Sequence, residues 1–165
     1  LFRSQQMKRS VWIVTLILMI FSLQSCKAKS NPEETIPTFR HDGFLKIHSA
    51  DGTLKAEFDV EIVRKDFELA RGLKYRDSIK ANQGMLFIFD FADYHSFWMQ
   101  DTYISLDMLF IDLDNHIVNI AKNTTPFSEE QIFPEAPIKY VLEILAGTAD
   151  KLNIQKTDKV TWIEN

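Results

Sequence analysis

The sequence predicts a mainly β protein, an antiparallel sandwich or barrel with one or two short helices, and three observations carry that expectation. From Leu54 to Ile62 the apolar Leu54, Ala56, Phe58, Val60 and Ile62 alternate with Lys55, Glu57, Asp59 and Glu61, the period-2 pattern of a half-buried strand. Short apolar runs recur along the chain with turn residues at close intervals, as hairpins require. Only Asp66 to Ala70 carries a convincing helical signal, which disfavours a parallel doubly wound sheet. The densest apolar stretch, from Gly84 to Asp107, is expected to fill much of the core, because burying one aromatic side chain contributes roughly 1.5 to 3 kcal/mol.

Taken in order, Phe44 to His48 reads as a first strand, turned by Asp51-Gly52, where glycine tolerates positive φ, into the Leu54 to Ile62 strand. Asp66 is suited to cap the short helix, and Arg71-Gly72 to end it. A loop continues to Gln83. Gly84 to Phe89 and His95 to Met99 read as a strand pair around Asp90 to Tyr94. Leu106 to Ile111 is a third strand of this region, turned by Asp112 to Asn115 into His116 to Ala121. Asn123 to Pro137 contains Pro126, Pro134 and Pro137 and no periodicity, the mark of a long loop that is functional or mobile. Tyr140 to Ala146 is a strand, Gly147 to Leu152 a turn or a single helical turn, and Lys159 to Ile163 a last strand. There is no internal repeat.

The N-terminal segment has a different character. Met7-Lys8-Arg9 opens a positively charged region, with Met7 the expected start, and Val11 to Phe21 is apolar apart from Thr15, as in a secretory signal. The run is too short to span a bilayer, which takes about 20 apolar residues. Leu23-Gln24-Ser25-Cys26 follows and resembles the lipobox of bacterial lipoproteins, in which the cysteine is lipidated and becomes the new N-terminus; Gln24 fits that pattern least well. The plainer alternative is a simple secretory signal ending near a cysteine. Residues 1–25 are thus expected to be a signal peptide, 26–38 a lipidated Cys26 with a polar, Pro32- and Pro37-containing tether, and 39–165 one β-rich domain.

Composition limits the chemistry. An apolar fraction of 45% and an aromatic fraction of 12% suit a folded body with a sizeable core. All 23 acidic residues follow Cys26, whereas Arg3, Lys8 and Arg9 precede it, so the body is distinctly acidic and nucleic acid is disfavoured as a partner. Cys26 is the only cysteine, which leaves the body without a disulfide, a thiolate nucleophile or a cysteine zinc site.

Arg71-Gly72-Leu73, Tyr75-Arg76, Gly84-Met85-Leu86-Phe87, Phe97-Trp98-Met99, Asp101-Thr102, Leu106-Asp107 and Val141-Leu142-Glu143, in this order, resemble the domain of unknown function 192 family, over a stretch from about Thr53 to the C-terminus. The resemblance implies a compact jelly-roll-like sandwich, often exported, with no established activity. Lys74 stands where the family usually has methionine, Asp101 where it has asparagine and Ser105 where it has proline. Asp101 adds a negative charge that would favour donors or cations at a site built there.

Candidate site residues come from these segments. Arg71 and Arg76 flank a loop, and their guanidinium forks suit a bidentate carboxylate or phosphate; the alternative is an internal ion pair with Asp107 or Glu143, whose carboxylates lie in apolar strands and need partners. Trp98 offers an aromatic platform for a sugar-like ring or, as the safer expectation, fills the core with Phe97 and Met99. His95 beside Asp93 has no serine or cysteine placed for it by any motif. Asp101, Asp107, Glu143 and His95 lack metal-ligand spacing, so neither metal nor cofactor is expected. The favoured function is a non-catalytic accessory domain, lipid-anchored at the cell envelope and facing the periplasm or the outside, that binds a small ligand or an envelope protein. The rival is a hydrolase with Arg71, Asp101, Asp107 and Glu143 in one cleft, which requires two carboxylates converging on an open pocket with their pKa values pushed apart.

Overall fold

Alternating apolar residues build seven strands that form one sheet in the order β5-β4-β6-β3-β2-β1-β7. The structure is a computed structural model and describes residues 38–165; Cys26, the leader and nearly all of the tether lie outside the described residues. The strands are β1 (Gly43–His48), β2 (Leu54–Val63), β3 (Gln83–Asp93), β4 (Leu106–Ile111), β5 (Ile117–Ala121), β6 (Ile138–Leu145) and β7 (Lys159–Glu164). Two short helices, α1 (Asp66–Arg71) and α2 (Thr148–Lys151), complete the elements.

The mainly β expectation holds, with differences in how the strands are arranged. There is one curled sheet, a half-barrel, rather than two stacked sheets. Its outer strands meet at one end, where His116 bridges Lys159 and the Ile117 N–H donates to the Asp158 carbonyl at 3.0 Å. One pairing departs from the antiparallel expectation: β2 and β3 run parallel, Glu61 opposite Met85 and Val63 opposite Phe87. A parallel pair needs a crossover connection, and α1 with the loop behind it supplies one. His95 to Met99 is no strand. β3 continues to Asp93, and Phe97 makes a single bridge to Ile132, so the long 123–137 segment is pinned over the sheet. The β1–β2 turn is also longer than two residues, with Asp51 accepting from Thr53 N–H at 3.0 Å and Gly52 at φ 88°.

Alternation on the strands sorts side chains into two cores, one on each face. Leu45, Phe58, Val60, Leu86, Leu142 and Val160 belong to the core inside the curl. Met85, Phe87, Met99, Met108, Phe110 and Val141 belong to the outer core, roofed by α1 and the loops, where Phe97 meets Phe87 edge-on at 5.2 Å and Phe110 at 6.0 Å between ring centres. Because both faces are covered, polar residues that alternation assigns to a wet face are buried, and that positions the candidate site.

Candidate functional site

The outer face carries one cross-strand row in which Glu61 on β2, Met85 on β3, Glu143 on β6 and Met108 on β4 stand side by side. Both carboxylates are buried, Glu61 at 3% and Glu143 at 5% exposure. Strand spacing sets their backbones about 10 Å apart. Their environments differ. Arg76 closes on Glu61, its Nη2 donating to Oε2 at 2.8 Å, while Oε1 lies 2.6 Å from Nη1 but out of line for a hydrogen bond. Glu143 has no cationic or hydrogen-bonding side-chain partner among the described residues, and burial pushes its carboxyl up to about 8. At neutral pH it is a carboxylic acid and a potential donor.

Glu143 floors a hollow of about 180 Å³ whose apolar walls include Leu73, Phe87 and Phe97, with Arg71, Lys74 and Trp98 also lining it. α1 brings Arg71 there. Its first N–H groups are served by Lys65 and Glu68, and it stops at Gly72, whose φ of 49° a side chain would strain. Gly72 also lets the helix end approach the floor, since a Cβ there would sit 3.2 Å from Phe87 Cζ and 4.0 Å from Glu143 Oε2. The Arg71 guanidinium has no partner among the described residues. Lys74 is engaged: its Nζ lies 5.5 Å from the centre of the Trp98 ring, 3.6 Å from Asp101 Oδ2 and 3.5 Å from Gln100 Oε1. On the other side of Arg71 and Gly72 a second hollow, of about 340 Å³, is lined by Glu61, Arg76 and Arg40.

The sequence-derived residues therefore separate. Arg71, Trp98 and Glu143 come together. Arg76 makes the expected kind of ion pair with an unexpected acid, Glu61, because the parallel β2–β3 pairing places β2 beneath the loop. Neither arginine pairs with Asp107 or Glu143. Asp107 is fully buried on the opposite face, where it accepts the Asn123 and Ala149 N–H groups, each at 2.9 Å; two backbone donors do the work expected of an arginine. Asp101 is absent from the lining and has φ 57°, a backbone setting that Asp and Asn tolerate better than other side chains. Its carbonyl accepts from Tyr75 N–H at 2.9 Å, and Tyr75 is itself at φ 63°, so Asp101 braces the rim. Trp98 departs from the core expectation at 42% exposure, because its segment is an irregular strap rather than a strand. His95 stacks on Phe89 with ring centres 3.8 Å apart, a packing role. No group of three potential metal ligands occurs among the described residues.

Sequence reasoning missed Glu61, which alternation placed with the solvent-facing Glu57 and Asp59, and it missed Lys74 as a wall of the hollow. The signal for Glu61 was available in principle, since β2 turns apolar on both sides over its last four positions, Val60 to Val63, apart from that single acid.

Comparison with known proteins places this geometry in context. The model of the DUF192 family, described as an uncharacterized ACR, matches residues 46–162. A crystal structure of a protein of unknown function from Novosphingobium aromaticivorans DSM 12444 is 35% identical with a TM-score of 0.69, the match covering 72% of this chain and 84% of that one. A candidate transcription regulator from Sinorhizobium meliloti 1021 is 32% identical with a TM-score of 0.72, the match covering 76% of this chain and 97% of that one. The curated proteins give no match.

Proposed function

The chain belongs to the domain of unknown function 192 family, and from that premise we propose that it is a non-catalytic binding module, held at the cell envelope through lipid on Cys26, that takes a small ligand into the hollow above Glu143. The observation that carries this reading is a buried carboxyl at the bottom of a hollow edged by Arg71 and a half-exposed Trp98, neither the carboxyl nor the guanidinium having a side-chain partner among the described residues. A carboxyl that faces a hollow without a protein side-chain partner is available to hydrogen-bond a ligand there, in a low-dielectric setting that strengthens the bond. Apolar walls with few converging polar groups are the usual make-up of small-ligand sites. The hydrolase reading gains no support, because Glu61 and Glu143 line separate hollows and Glu61 is engaged by Arg76. The acidic body argues against extending the Sinorhizobium relative's description to this chain, since DNA binding draws on clustered lysine and arginine. The envelope location rests on the leader and its lipobox-like end.

Amide chemical-shift mapping with a set of ring-bearing small solutes tests the site. Shifts gathered on Gly72, Leu73 and Trp98 are expected, and they should disappear in Glu143→Leu, which fills the floor without offering a polar partner. Shifts scattered over the sheet, indifferent to that substitution, would refute the reading.

A further inference from the structure

The charges around the hollow say more about what it accepts. Arg71 and Lys74 are its only cationic lining residues, and Glu143 is the only acid. Asp101 is outside the lining and holds Lys74 from the rim, with Tyr75 Oη donating to its Oδ2 at 3.3 Å. In the neighbouring hollow Glu61 and Arg76 satisfy each other's charge. With Glu143 uncharged at neutral pH the lining is net positive, and its one charge without a partner among the described residues is the Arg71 guanidinium. A cationic ligand would meet like charge at the mouth and a protonated acid at the floor. An anion would meet a free planar fork and an O–H donor, the charge-assisted pairings that are shorter and stronger than neutral ones.

Size and shape narrow the class. About 180 Å³ is below the roughly 300 to 1,000 Å³ of sites for drug-sized ligands, so the hollow suits one ring or a short chain. Its walls are aromatic, with Phe87 and Phe97 set edge to face and the Trp98 ring exposed at the rim. One guanidinium and one carboxyl group also match the two oxygens of a carboxylate better than the three oxygens and higher charge of a phosphate.

Resting on the binding-module reading above, we propose that this hollow selects a small monocarboxylate with a flat apolar body, its carboxylate held by Arg71 and the Glu143 carboxyl and its ring laid between Phe97 and Trp98. Arg71 then determines specificity for charge, and the aromatic walls determine shape.

Three isosteric probes test this on the full chain in mild detergent: benzoate, neutral benzamide and cationic benzamidine, each titrated while the Gly72 amide and the Trp98 indole are followed by NMR. Benzoate should bind at least tenfold more tightly than benzamide, with benzamidine weakest. Arg71→Gln should bring benzoate down to the level of benzamide. That substitution is at an exposed helix end without a partner among the described residues, so the spectrum of the remaining domain should be preserved. If benzamide binds as tightly as benzoate at the same residues, or benzoate binding is indifferent to Arg71→Gln, the carboxylate assignment is wrong while the binding-module reading survives. If none of the three probes moves Gly72 or Trp98 at millimolar concentration, both fall.

Discussion

Glu143 makes its own stability prediction. Unfolded, a glutamate ionises near its ordinary value of 4.5, whereas burial pushes this one up to about 8, so between those values the folded protein holds a proton that the unfolded chain has released. Stability therefore declines as pH rises through that window, by about 1.4 kcal/mol per pH unit from this group, and the contribution is flat below and above it. Glu143→Gln should remove that slope, so that its gain in denaturation midpoint over wild type is larger at pH 7 than at pH 5, as urea unfolding at the two pH values would reveal. Trp98→Ala, in turn, should cost about 1 to 2 kcal/mol, less than the about 3 to 5 kcal/mol of a fully buried aromatic. A larger loss in the same assay would return Trp98 to the core. Its exposure was illegible in the sequence because Phe97-Trp98-Met99 looks like a strand, where neighbours alternate between faces. In the strap it forms instead, Met99 is buried and Trp98 half exposed.

At the scale of elements, strands were read well and their neighbours less so. β2, β4, β5, β6 and β7 lie within a few residues of where periodicity and turn residues set them, because local pattern records which residues face a core. Pairing partners depend on the path of the connections, which local pattern does not record. That is why the parallel β2–β3 pair went unseen, and with it the true partner of Arg76. The resulting pair ties the loop after α1 to the sheet and gives a measurable expectation. Arg76→Met should destabilise the domain by about 3 to 5 kcal/mol by leaving Glu61 buried and unpaired, and adding Glu61→Leu should restore most of the loss. A single variant close to wild type in thermal or urea unfolding would mean that the pair contributes only locally. The candidate site was legible to the same partial degree. The residues of its rim and floor, Arg71, Trp98 and Glu143, lie in segments marked by the family resemblance, but only the folded sheet separates them from Asp101 and Asp107.

For the whole molecule, the anchor is tested at Cys26. Cys26→Ser should release the protein from membranes into the soluble fraction, because this side chain is the proposed acyl attachment point. Undiminished pelleting of the variant would contradict the lipid attachment. Composition was readable at this scale because it requires no tertiary information, whereas the curl of the sheet was not, since it depends on β1 lying between β2 and β7 and on the His116–Lys159 bridge between the two outer strands of the sheet. That arrangement bears on how the protein is made. β1 is made before β7, which covers its outer edge and follows more than a hundred residues later, with Gly43 opposite Glu164. Until β7 is made the nascent chain carries a bare, pairing-competent edge, which invites association with other chains. The domain cannot close progressively as it is extruded. The sheet is complete only once β7 is free to pair, so its edge strand β1 is protected by the last strand to be made.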